Sequence, residues 1–176
     1  MFRPRPNVVL RRALSSPECY QGQVIVSLHV ATGASVGAAV GSPLVAALLG
    51  VPLHLAGDRV PHHDIHDRGF EVCSGLITIG LLAWRRGIAD AATIGAVAAS
   101  APDTEHVVRL PRPGGSKLFH GRRGWHRSGG LSTRTQLLLA GLLIGRLLAA
   151  GGAVREVDAK SVERRREALR RDPGLA

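Results

Sequence analysis

Aromatic residues are almost missing from this chain. Three Phe, two Trp and one Tyr make up 3% of 176 residues, although hydrophobic residues reach 45%. A water-soluble core of this size usually leans on several large rings. Here the apolar mass is Leu, Ala, Val and Ile, with 22 Gly among them, a mixture more typical of helices packed closely in lipid. The shortage of rings also argues against a module that stacks nucleic-acid bases. Lysine is scarce as well: Lys117 and Lys160 are the only two, and the rest of the positive charge is Arg. Cys19 and Cys73 have no metal-like spacing. They argue against a Cys-based zinc site or a disulfide framework and read as free thiols. Strand-like alternation and internal repeats are missing too.

A second absence is local. From Val24 to Gly57 there is no Asp, Glu, Lys or Arg. The formal net charge of +10 is therefore carried elsewhere. Such a balance suits anionic lipid, a phosphorylated substrate or nucleic acid, and does not choose among them. Residues 1–21 are basic and broken by Pro, with no apolar core leading to a small-residue cleavage site. They read as a disordered basic arm, not as a signal peptide.

What remains is organised as helices. Residues 22–41 can form one helix, with Gly33, Gly37 and Gly41 on one face where a neighbour can approach closely. Ser42 and Pro43 open a second helix, Pro52 is expected to kink it, and Pro61 ends it near Val60. A third helix is expected over about Phe70–Arg85 and a fourth over about Ile88–Asp103. A fifth is expected over about Leu131–Gly151. The charged segment 152–176 reads as a separate surface helix closed by Asp172-Pro173-Gly174. The fold class is thus all-α: about five apolar helices in antiparallel hairpins over 22–151, embedded in a membrane, plus a charged tail. A soluble helical domain is the alternative, because runs such as Val72–Trp84 suit a buried core equally well and Arg146 interrupts the fifth helix.

In such a hairpin bundle the polar residues meet. His29 lies early in the first helix. His54 and Asp58 end the second, four residues apart and on one face. "GDRVPHHDIHDRG" follows, with His62, His63, Asp64 and His66. "PDTEH", residues 102–106, ends the fourth helix with Asp103, Glu105 and His106. "FHGRRGWHRSGG", residues 119–130, introduces the fifth with His120 and His126. All fall at one end. Imidazole and carboxylate are the ligand set for zinc, iron or manganese, and bundles build metal sites from inward-facing side chains on neighbouring helices. The candidate ligands are His29, His54, Asp58, His62, Asp103, His106 and His126. Arg122, Arg123 and Arg127 read either as a solvated loop or as guanidinium forks for an anionic ester.

These segments resemble the inner-membrane-associated metal-dependent hydrolases of the YdjM-like family. "PDTEH" resembles that family's Pro-Asp-x-Asp-His motif, with Glu105 in place of its second Asp. "HGRRGWHRSG" is similar to its His-Arg-Gly-x-Thr-His-Ser segment, and "HLAGDRVP" to its His-x-x-x-Asp…Pro segment, here in a different order. His29 is similar to the His early in the family's first helix. The resemblance covers about residues 24–150 through short motifs. It implies a metal-dependent hydrolase in the bacterial inner membrane, and a metal site more strongly than any named reaction; an ester or phosphoester as substrate is the expectation from location and charge.

Three functions follow as expectations. In the first, a divalent metal, zinc before iron or manganese, activates water, with Glu105 or Asp64 as general base. Membrane lipid or another anionic, phosphorylated molecule is the expected partner, and the site end faces the cytoplasm by the excess of basic residues. In the second, a non-enzymatic membrane protein carries a metal that only staples helix ends, or a polar cap without one; were the domain soluble, a helical metal-dependent phosphoesterase is the alternative. The third, nucleic-acid binding, rests on charge alone and is the weakest.

Overall fold

In a computed structural model, the structure describes residues 26–63, 65, 67–108, 118–119 and 129–171. These residues are helical throughout, apart from turns and one isolated parallel bridge between His62 and Leu131. Five α-helices follow in order: α1 Val26–Val40, α2 Pro43–Gly57, α3 Arg68–Arg86, α4 Ala91–Ser100 and α5 Thr133–Arg171. A 3-10 turn, Ala101–His106, is appended to α4. The basic arm at 1–21 lies outside the described residues.

Local chemistry accounts for the boundaries. Gly41 takes a left-handed φ of 67° between α1 and α2, where an L side chain would be strained. Ser42 then caps α2 by accepting from the Val45 N–H at 3.4 Å, and Pro43 occupies the first turn. The Oδ1 of Asp67 accepts from Phe70 N at 3.0 Å and opens α3. Gly87 closes α3, and Asp90 caps α4 by accepting from Ala92 N at 2.9 Å. The fourth helix is therefore shorter than 88–103. Residues 88–90 form its entry turn, and Pro102 lacks the N–H that would continue the α ladder, so the chain tightens to 3-10 from Ala101.

α4 is the hub. Its sequence, AATIGAVAAS, is nearly all small, and α1 and α2 both pack on it. A Cβ on Gly33 would strike the Gly95 carbonyl, one on Gly37 the Ala91 carbonyl, and one on Gly50 the Ala98 side chain. Two of the three glycines expected on one face thus form a seam. Gly41 does not, since a Cβ there meets nothing within 4 Å; it serves the turn. The buried core is Val30, Ala34, Leu82, Ala92 and Ala96, with Ile79, Ile144 and Leu148 against it.

α5 differs from expectation. The fifth helix and the charged tail are one continuous 39-residue helix. Gly151 and Gly152 do not break it, because neither precedes a proline and the following residues are mostly good helix formers such as Glu, Arg and Ala. Gly151 instead lets the Arg86 side chain lie close. There Arg85 Nε and Arg86 Nη1 donate to the Leu148 and Leu147 carbonyls, each at 3.3 Å.

Among the described residues, one segment, Thr133–Gly151, is long and apolar enough to cross a membrane. α1 and α2 are apolar but have 15 residues each. At 1.5 Å per residue they reach about 22 Å, less than a hydrocarbon core of about 30 Å. The exterior is nonetheless apolar: Leu44 and Leu48 on α2, Ile77 and Trp84 on α3, and Leu138 and Leu142 on α5 are all exposed.

Candidate metal centre

The antiparallel order brings the start of α1, the end of α2, the start of α3, the 3-10 turn and the start of α5 to one end of the bundle. His29, in the first turn or so of α1, and His54, in the last turn of α2, stack with ring centroids 3.9 Å apart and planes 29° apart. Their side chains are 2% and 0% exposed. Asp58, one turn after His54, offers one oxygen to each ring: Oδ1 is 3.2 Å from His29 Nε2, and Oδ2 is 3.4 Å from His54 Nε2. From the 3-10 turn, Asp103 brings Oδ1 to 3.7 Å from His54 Nε2.

The tautomer of His54 follows from its other nitrogen. Nδ1 lies 2.7 Å from the Ala99 carbonyl oxygen. A carbonyl only accepts, so Nδ1 carries the proton and, in the neutral ring, Nε2 presents a lone pair. That lone pair faces two carboxylates. His29 Nε2 is fully buried and has Asp58 Oδ1 at 3.2 Å as its neighbour. Three or four lone-pair donors facing one another in a dry site repel unless a cation or a proton lies among them. Metal–ligand bonds of about 2.0–2.2 Å in a tetrahedral shell set donor atoms about 3.3–3.6 Å apart; His54 Nε2 and Asp103 Oδ1 are 3.7 Å apart, and His29, His54 and Asp103 each offer a donor atom within 4.8 Å of the others. The buried His29, His54 and Asp103 can hold a metal ion.

No family model, curated protein or solved structure matches the chain. The site's own geometry is therefore the ground for any function.

The other candidates divide. His62 is buried, with Nδ1 on the Val60 carbonyl, so its Nε2 has the same lone-pair form as that of His54. It lines a second cavity of about 150 Å³ with His29, Thr32 and Gln136. His63 is exposed and contributes its backbone: the His63 carbonyl accepts from Gln136 Nε2 at 2.7 Å. Glu105 is buried, and its Oε2 accepts from the N–H groups of Leu118 and Phe119 at 2.9 and 3.3 Å. This carboxylate is thus engaged in anchoring the loop before α5. His106 ends the 3-10 turn at the same end of the bundle, but its side chain lies outside the described residues. Asp64, His66, His120, Arg122, Arg123, His126 and Arg127 lie outside them too.

Two buried polar residues are not legible in the sequence. Glu71, 2% exposed, lines a cavity of about 270 Å³ that it shares with Asp103. It is an acid in the first turn of α3, where the helix dipole alone would favour a carboxylate. Gln136, 0% exposed, ties α5 to the His loop through the His63 and Leu131 carbonyls. Nothing in its surroundings in sequence distinguishes it from a surface glutamine.

Proposed function

We propose that this protein is a membrane-embedded, metal-dependent hydrolase of an ester or phosphoester. The observation that carries the reading is His54, whose Nδ1 is held on the Ala99 carbonyl while Nε2 is aimed at Asp58 and Asp103 in a buried site. His29, His54 and Asp103 hold the metal, zinc before iron or manganese, and Asp58 orients both imidazoles or supplies a fourth bond. A metal so held supplies an activated water and a Lewis acid for the scissile bond. Glu71, which lines the cavity that reaches Asp103, would take the water's proton, while Glu105 anchors the loop through the Leu118 and Phe119 N–H groups. The loop arginines Arg122, Arg123 and Arg127 bind an anionic head by guanidinium forks.

The apolar exterior of α2, α3 and α5 supports placement in a bilayer, and the resemblance to inner-membrane hydrolases supports the bacterial inner membrane. The excess of Arg around the site loops supports a site facing the cytoplasm.

A second reading has its own observation. Asp58, within 3.2 and 3.4 Å of the two imidazoles, would close a tetrahedral shell if it turned onto a metal held by His29, His54 and Asp103, as structural sites do, whereas catalytic sites leave one position open. Metal analysis of purified protein, followed by cobalt substitution, separates the two. An open site changes its visible spectrum when an anion such as azide is added, and a closed one does not. Protein that carries no divalent metal, even after reconstitution, removes both readings.

A further inference from the structure

The cavity shared by Glu71 and Asp103 has a direction. Glu71, Gly75 and Ile79 line it at intervals of four along α3, so it follows that helix for two turns, about 12 Å. Its acidic end is level with the metal ligands, because Glu71 is in the first turn of α3. Its other end, at Ile79, borders the bundle core. The remaining wall includes Val26, Val72 and Val108. Gly75 leaves room where a Cβ would reach within 2.7 Å of Val26. Leu76, 65% exposed, and Val108, 54% exposed, form a rim on the apolar exterior. The slot therefore has the acidic residues Glu71 and Asp103 at one end, with Ser100 and Thr104 beside Asp103 and their hydroxyls donating to backbone carbonyls, hydrocarbon along the rest of its length and an opening towards the side.

We infer that this slot takes the alkyl tail of a single-chain amphiphile, whose polar head is delivered to Asp103 and the histidines. Water is a poor occupant, since a buried water needs polar partners and only the acidic end has them. A wholly apolar molecule would set hydrocarbon against the two carboxylates, at a cost in their solvation. An amphiphile suits both ends, and an opening on the apolar exterior admits it from the bilayer without passage through water. The identity of the head as a scissile ester rests on the hydrolase reading. The seating of the tail does not.

The test uses full-length, metal-loaded protein in lipid nanodiscs and a dodecyl phosphate with a photoreactive diazirine near the tail end. After illumination and digestion, the label is expected on peptides covering 72–79 and 107–108. Unlabelled dodecyl phosphate should compete, and butyl phosphate should not, since each buried methylene strengthens binding about four-fold. Val72→Phe, which fills the slot, should reduce that labelling at least ten-fold; Leu76→Trp, at the rim, provides a second block if Val72→Phe does not fold. Label confined to outward residues such as Leu44 and Leu138, or unaffected by both variants, overturns the inference. So does equal competition by butyl and dodecyl phosphate. If the protein proves metal-free and the slot is still labelled selectively, the hydrolase reading fails while the tail site stands. If metal binds and esters are cleaved without regard to chain length, the reverse holds.

Discussion

His54 does two jobs with one ring. Nδ1 holds α2 to α4 through the Ala99 carbonyl, and Nε2 faces the acids. Changes in the partners of metal ligands cost about 10–100-fold in affinity, and loss of a ligand should exceed that. His54→Ala is expected to lower bound metal by more than about 100-fold on that scale, read by elemental analysis after dialysis against a weak chelator. It also strands the Ala99 carbonyl, at about 1–3 kcal/mol, so its unfolding midpoint should fall even in the absence of metal. The two glutamates should part ways. Glu71→Gln should keep the metal and lower turnover about 10²–10⁴-fold, the usual contribution of a general base. Glu105→Gln keeps an amide oxygen for the Leu118 and Phe119 N–H groups and should cost turnover less than about ten-fold by the same measure. Equal losses in the two variants would return Glu105 to the role of base.

At the scale of elements, the seam between α1 and α4 is the most demanding contact. The Cβ of Gly33→Ala would meet a backbone carbonyl, which cannot swing aside as a side chain can. A destabilisation at the upper end of about 1–3 kcal/mol is expected, measured by thermal unfolding in detergent. Gly41→Ala has open space around it and loses only the left-handed backbone preference, about 1–2 kcal/mol. The glycine periodicity and the Ser42-Pro43 signature make the first hairpin legible in the sequence, and with it the convergence of His29, His54 and Asp58. Asp103 follows from the count of hairpins. Pro102 signals the end of α4, but apolar pattern alone carries the helix too far, because α and 3-10 turns share that pattern. The length of α5 is hidden because Gly151-Gly152 and the switch from apolar to charged composition resemble a boundary. Backbone hydrogen bonds ignore that switch. Glu71 is hidden for a different reason: its burial depends on the packing of separate helices, which local sequence does not report.

For the whole molecule, the exposed leucines of α2 and α5, with Ile77 and Trp84 of α3, are the features that support the proposed placement in a bilayer. Extraction should require detergent, and recovery of full-length protein in the supernatant of a high-speed spin would contradict the membrane placement. The charged half of α5 continues past the bundle, and among the described residues no ligand or cavity residue lies beyond Gly151. Truncation there should leave metal content unchanged. The seam has a consequence at this scale. Gly50 sits one turn before His54 and lies against Ala98, beside the Ala99 whose carbonyl fixes the imidazole. Any side chain at Gly50 pushes α2 off α4 and turns His54 away from Asp103. In a saturation mutagenesis scan selected for function, Gly50 and Ala98 should therefore tolerate no more replacements than the histidines themselves, and variants there should be rescued by excess metal less well than by a compensating smaller residue across the seam.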